Sequence, residues 1–552
     1  MPRALLRRAI AGALLLGCGV ASAVDLTLVS RSDDPARADG LTGRHPDMDA
    51  SGETIVFASN SSALDDALYR LTLTTPPGGV FSGASQIYAL EPRTGAQTLI
   101  SDEMPPGGIA VGGDFDSVDP SISPSGRYVA YASSAMNLVP GVYGSPAYEV
   151  FRHDRDTGTT LRLTSLAAGS TRAADVADNG RVAFETAANV AGDSNGVADI
   201  YVVSGLFGAL TRVSAPDPLL GYGAPGVSQA PAVSGDGRYV VFESLASNLT
   251  PLDTNAASDV FLYELGLGTR QRVSDAPGAD QVGAGSHSAD VSHDGRYVVF
   301  VSEATNLIPG DVWAGGEQVF LRDRQRGVTT RLSRELATLG LHTPSAPRIA
   351  ANGEYVLFEA RATPTERALV RYEVRAAALE LVGRFPLGLP SRASAHAISD
   401  DGRRVAFDNA VPVPVPGVVT GFPEVYRADF RPGSLAFAAS ELRIDEGAGS
   451  LALEVRRNDG SDGAVSAWVT FERSAATDAA LPNWDYASYA TDGGWLLSWA
   501  AGDATPRVLE VPIVQDAREE ADEHLRLRLS ESVGGATLGP LDEIEIVIAD
   551  DD

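Results

Sequence analysis

The chain has 552 residues, 44% hydrophobic and 21% charged, with 57 glycines and 33 prolines. That composition can fill several packed cores but is too rich in turn formers for a helical bundle. Acids outnumber bases 72 to 43, a net charge of −29, and every base is an arginine, which argues against nucleic acid as a partner and for a divalent cation.

The chain opens with Arg3, Arg7 and Arg8, continues through the apolar residues 9–20, and reaches Ala21-Ser22-Ala23. That layout predicts a secretory signal peptide over residues 1–23. The apolar stretch is too short for a bilayer span, and no later segment approaches 18 apolar residues, so no transmembrane segment is expected. Cys18 is the only cysteine. No disulfide is expected within the chain, and Leu15-Leu16-Gly17-Cys18 offers the alternative of a lipoprotein box. The expected location is exported, either periplasmic or secreted to the cell surface.

A repeat follows, over residues 24–430. After a lone strand at residues 26–30 (LTLVS), one pattern recurs seven times: a short strand, a Gly turn, then a strongly apolar strand. APAVSGDGRYVVFES from Ala230 and SADVSHDGRYVVFVS from Ser288 are typical. The turn glycines Gly52, Gly126, Gly180, Gly237, Gly295, Gly353 and Gly402 stand 49 to 74 residues apart. Asp-Gly and Asn-Gly suit tight hairpins because glycine takes positive φ without steric cost. Each repeat supplies two further strands, as in residues 259–263 and 269–274, and four antiparallel strands per unit make a propeller blade. The seventh repeat lacks its outer strand and residues 26–30 are spare. Pairing them closes a seven-bladed ring without an exposed sheet edge.

The SxDGRYVxFxS hairpins, and the run from Asn248-Leu249 through Asp253-Thr254-Asn255 to Asp259-Val260-Phe261, resemble the TolB-like, WD40-like propeller family of exported bacterial proteins. The resemblance implies a propeller that binds, scaffolds or regulates. Two loops gather oxygen donors, Asp253-Thr254-Asn255 before Asp259 and Asp193-Ser194-Asn195 before Asp199. They read either as weak Ca²⁺ loops or as Asx turns capping a strand.

A linker is expected at residues 431–435 and a second domain over residues 436–552. From Glu441 to Asp552 there are 24 acids against 8 arginines. Alternating strands at 451–455, 465–469, 508–513, 525–529 and 544–548 predict an antiparallel β-sandwich. The fold class is therefore all-β, a seven-bladed β-propeller plus a C-terminal sandwich. Ile444-Asp445-Glu446-Gly447, Val455-Arg456-Arg457, Trp484-Asp485-Tyr486, Val514-Gln515-Asp516, Glu520-Ala521-Asp522-Glu523 and Ile548-Ala549-Asp550-Asp551-Asp552 resemble the Calx-beta domain of sodium–calcium exchangers, in order along the segment. The resemblance implies Ca²⁺ held by Glu446, Asp485, Asp516, Glu520, Asp550, Asp551 and Asp552. Gln515 stands where binding members carry a further aspartate.

HExxH, P-loop and CxxC motifs are absent from the sequence. His45, His287 and His396 fall at comparable places in three repeats, where they line the channel or simply pack. The expected function is a non-catalytic exported interaction or scaffold protein whose propeller takes a protein or carbohydrate ligand of the envelope or cell surface. The alternatives are a propeller hydrolase or lyase, and a TolB-like subunit of a periplasmic envelope complex.

Overall fold

A computed structural model describes residues 25–30, 43–60, 84–103, 111–112, 114–139, 147–166, 171–190, 193, 195–204, 209–217, 220, 226–251, 253–276, 283–313, 315–386, 396–409, 424–472, 494–500, 502–515 and 521–550. The segment read as a signal peptide lies outside them. Contacts divide the chain into two compact units, one built from most of residues 26–428 and the other centred on residues 429–552.

Among the described residues the first unit holds seven four-stranded antiparallel sheets. In each, the innermost strand comes first in sequence, as in Ser228–Val233, Tyr239–Ser244, Asp259–Glu264 and Thr269–Arg272 of blade four. Each innermost strand packs on that of the next blade, and the seventh on the first, so the ring is closed. The second strand is apolar along its middle because neighbouring blades cover both its faces; Val240, Val241 and Phe242 are wholly buried. Its aromatic stacks on the residue opposite in the third strand, with ring centroids 5.6–6.0 Å apart: Phe57 on Tyr88, Tyr131 on Phe151, Phe184 on Tyr201, Phe242 on Phe261, Phe300 on Phe320 and Phe407 on Tyr426.

The seam closes as the strand count requires. Asp25–Leu28 pairs with Glu424–Asp429 as the outer strand of blade seven. In blades one to five a Ser or Thr hydroxyl of the outer segment accepts the amide of the third strand's second residue: Ser101 from Ile87, Thr164 from Val150, Ser214 from Ile200, Ser274 from Val260 and Ser333 from Val319. Ser30 Oγ accepts the Val425 amide at 3.1 Å in the same way, across 395 residues of chain. The N-terminal strand thus makes the bond that its counterparts make within single repeats.

The hairpin turns form a hydrogen-bonded belt around one end of the ring. Donors run from Ala50 N to Pro124 O, Ser125 N to Asp178 Oδ1, Asp178 N to Gly235 O, Asp236 N to His293 O, His293 N to Ala351 O, Asn352 N to Asp400 Oδ1 and Asp400 N to Ala50 O, at 2.7–3.0 Å. These bonds cross every blade seam.

The second unit is a sandwich of a four-stranded and a five-stranded sheet around Leu435, Phe437, Leu453, Val455, Val469, Trp499, Leu527 and Ile546. Its strands include Ser450–Asn458, Val465–Glu472, Arg507–Pro512, Glu523–Val533 and Glu543–Ala549. It departs from a purely antiparallel sandwich. Ser434–Phe437 pairs parallel with Thr537–Leu538, and Glu441–Asp445 pairs parallel with Glu543–Ala549. The chain crosses from one sheet to the other between these strands without reversing, so both meet late strands in the parallel sense. Ser434–Phe437 also begins inside the stretch read as a linker. Arg457 is 4% exposed and donates to five carbonyls, those of Pro432, Ala500, Asp503, Asp462 and Gly463, fastening the turns at one end.

Candidate functional site

The turn belt draws together one end of the propeller channel, which leaves the end where the innermost strands begin. There five of the seven innermost strands carry, among the described residues, a β-bulge whose first residue takes positive φ: His45, Asp119, Ala230, Ser288 and Ala346, at 48–53°. The bulge turns its amide toward the second strand of the preceding blade, where a carboxylate receives it. His45 N donates to Asp408 Oδ2 at 3.2 Å and Ala230 N to Glu185 Oε2 at 3.1 Å, and the Ser288 amide is turned toward Glu243. Burial pushes all three carboxyls above their ordinary values.

One layer deeper, Asp47, Asp175 and Asp290 occupy the same repeat position in blades one, three and five. They accept the amides of Ile122, Val233 and Ile349 in the following blades at 2.7–2.9 Å. Asp47 is pushed up to about 7, first by burial and further by the charge of Asp175. These acids staple blade to blade. Burial, against the pull of these bonds, raises the pKa of Asp47 and Asp175.

The structure brings the three sequence-selected histidines to this end, each in its own surroundings. His45 Nδ1 lies 2.8 Å from Asp119 Oδ1, and that bond holds its pKa above the usual value. His287 meets Ser288 Oγ at 3.0 Å and Glu317 Oε1 at 3.3 Å. His396 is buried, 3.6 Å from Glu359 Oε1. The half-exposed His45–Asp119 pair has the chemistry to pass a proton, and the enzymatic alternative rests on it. Sequence reasoning passed over Asp47, Asp119, Asp175, Glu185 and Glu243. For Asp47 and Asp175 the signal available was a shared position, five residues before the turn glycine.

Exposed apolar side chains favour the same end. Phe115, Met136, Leu220, Leu245 and Val312 sit on loops there, and Leu267 and Val328 on turns at the opposite end. A cavity of about 410 Å³ opens between blades four and five at the first end, lined by Val227, Gln229, Glu243, Leu245, Ser258, His287 and Ser288.

The two loops that read as weak Ca²⁺ sites or Asx turns resolve toward the latter. Asn195 N donates to Asp193 Oδ1, Val197 N to Asn195 Oδ1 and Ala257 N to Asn255 Oδ1. Arginine takes the place a cation would fill: Arg212 lies 3.0 Å from Asp193 and 2.6 Å from Asp199. Arg272 lies 3.9 Å from Asp253 and 3.6 Å from Asp259.

In the sandwich, Asp445 pairs with Ala549 and Glu523 with Ile548. Glu446, Asp522 and Asp550 therefore fall one step on, at one end of the five-stranded sheet. Arg443 takes Asp522 at 2.7 Å. Among the described residues no group of three His, Cys, Asp or Glu side chains could hold a metal. Asp485, Asp516, Glu520, Asp551 and Asp552 lie outside the described residues.

No protein-family model and no curated protein matches the chain. Among solved structures, it is similar to TolB from Acinetobacter baumannii at 15% identity and a TM-score of 0.34, over 63% of this chain and 79% of that one. It is similar to the apo form of the Calx CBD1 domain at 21% identity and a TM-score of 0.19, over 22% of this chain and 97% of that one. A prolyl endopeptidase aligns at 13% identity and a TM-score of 0.43, over 83% of this chain and 60% of that one. The fold assignment rests on the sheets themselves.

Proposed function

We propose that this chain is an exported, non-catalytic binding protein. Its propeller takes a protein or carbohydrate ligand of the envelope on the end opposite the turn belt, and its Calx-beta-like sandwich serves as a calcium-stabilised second module. One observation carries the reading: exposed apolar side chains and a carboxylate-rich channel mouth share that end, while the other end is drawn together by its own turns. Apolar patches rimmed by polar groups mark interaction surfaces. The half-buried carboxylates there are committed to backbone amides, which suits a rigid platform better than an acid–base site. A TolB-like role in an envelope complex is a special case of the same reading.

The test is capture from an envelope extract of the source organism. Leu245→Glu or Val312→Glu, at the mouth, should abolish capture of partners that wild type retains. Leu267→Glu and Val328→Glu, at the belt end, should capture as wild type does. Equal capture by all four variants, or loss only with the belt-end pair, overturns the assignment of the face.

A further inference from the structure

Buried and half-buried acids in this propeller repeatedly carry an arginine. Glu149 has Arg162 at 3.0 Å, Asp199 has Arg212 at 2.6 Å and Asp323 has Arg296 at 2.8 Å, and Glu359 pairs with Arg367. At the mouth, Arg172 stands in the field of Glu185 and Arg367 in that of Asp408. Glu243 breaks the pattern. It is 7% exposed, and its neighbour across the cleft is His287, whose Nε2 is 3.3 Å from a second carboxylate, Glu317. Among the described residues neither Glu243 nor Glu317 makes an ion pair with an arginine.

The surroundings of Glu243 hold it in place. The bulge at Ser288, φ 53°, turns an amide toward it, and the Gln229 side chain lies beside it in the cavity wall. These neighbours leave part of a carboxylate's accepting capacity unused. The cavity of about 410 Å³ opens directly beside it, with Val227 and Leu245 forming an apolar wall. Leu245 is 51% exposed, a costly place for leucine unless something covers it. A carboxylate at the base and an aliphatic wall above match a long side chain with a charged tip.

We infer that the cleft between blades four and five is the anchoring subsite of the propeller's ligand, and that it takes a lysine or arginine side chain from a partner polypeptide. The methylene stem lies along Val227 and Leu245, and the cationic head meets Glu243, with Glu317 on the approach. The inference rests on the mouth being the binding face and adds the chemistry of what enters. The charge suits it, since a chain with no lysine and a net charge of −29 attracts basic segments.

The test uses the full chain and three small probes: Nα-acetyl-lysine amide, Nα-acetyl-arginine amide, and the lysine probe acetylated on its ε-nitrogen. Binding is read by saturation-transfer NMR and calorimetry. The two cationic probes should bind, and the ε-acetylated one about tenfold more weakly or worse, because a desolvated charge pair carries the recognition. Glu243→Gln should weaken the cationic probes by about tenfold and leave the acetylated probe unchanged. If that variant melts early, Glu317→Gln, at a side chain 30% exposed, should still weaken them several-fold. Absence of binding by the cationic probes, equal binding of the acetylated probe, or a folded Glu243→Gln protein that binds as wild type overturns the inference. If Leu245→Glu still abolishes capture of the natural partner in those cases, the mouth remains the binding face and only the cationic anchor fails.

Discussion

The carboxyl of Asp47 bears on pH dependence. It accepts the Ile122 amide at 2.8 Å and the Met48 amide at 2.9 Å, yet enclosure by the ring and the nearby Asp175 push it up to about 7. A carboxyl whose folded pKa lies above its unfolded value binds more protons in the folded state. Its contribution therefore falls as pH rises from about 4 to about 7 and is flat beyond. His45 acts in the same direction: its raised pKa gives stability present below the unfolded value and lost as pH rises through the folded one. The propeller should be more stable at pH 5 than at pH 8. Asp47→Asn keeps an acceptor for Ile122 and removes the charge. Because Asp47 is only half-buried and faces the channel, the expected gain at pH 8 is discounted to about 1 kcal/mol, with little change at pH 5. Melting curves at the two pH values decide this. An equal loss at both would show that the ionised carboxylate holds the seam. The residues of this ring stood in the quoted repeats, but their role was not legible there. Which amide a side chain reaches across a blade seam depends on the bulge and on the twist between sheets, and neither leaves a mark in hydropathy.

Closure of the ring is an event at the scale of one strand. Counting strands in the sequence left one spare at the start and one missing in the seventh repeat, and the pairing of Asp25–Leu28 with Glu424–Asp429 joins them. Val29, which donates its amide to Val425, is 1% exposed and packs with Ile55, Phe57, Tyr88 and Val425. Val29→Ala should therefore cost about 2 kcal/mol, as at a central core site. Val328→Ala, at a 53% exposed position, should stay within about 0.5 kcal/mol of wild type. Urea unfolding of both variants checks this; a Val29→Ala protein as stable as wild type would mean the seam adds nothing to the ring. The blade hairpins were legible because apolar runs and Gly turns are local signals. The Asx loops were half legible. The aspartates showed in the sequence, but the arginine that neutralises them lies 13 residues or more further along, on a strand whose register only the folded sheet supplies. In the sandwich, the short strands Ser434–Phe437 and Glu441–Asp445 were missed because each pairs only with strands that do not follow it directly, so no hairpin turn marks them.

At the scale of the whole molecule, charge is unevenly shared: residues from Glu441 onward carry 24 acids against 8 arginines. Strand register places Glu446, Asp522 and Asp550 at one end of the sandwich, and Arg443 already neutralises Asp522. The resemblance to calcium-binding sandwiches would add Asp485, Asp516, Glu520, Asp551 and Asp552 to Glu446 and Asp550. Carboxylates gathered in that way repel one another, and a cation that takes six to eight oxygens relieves the repulsion. Calcium binding only the folded state would stabilise it by about 2.7 kcal/mol at a hundredfold excess over Kd. In calorimetry of the full chain, the transition belonging to the sandwich should move up by several degrees in calcium, and the propeller transition should stay put. Mg²⁺ should do much less, because it demands a tight octahedron and releases water reluctantly. Asp516→Ala or Asp551→Ala should remove the shift. Asp459→Ala should preserve it, since Asp459 follows Ser450–Asn458 and lies at the other end of that strand from Glu446. Melting curves that coincide in millimolar calcium and in chelator would leave the sandwich as a spacer with an acidic rim. The cationic-anchor test at the propeller mouth would be unaffected, because none of its residues belongs to the sandwich.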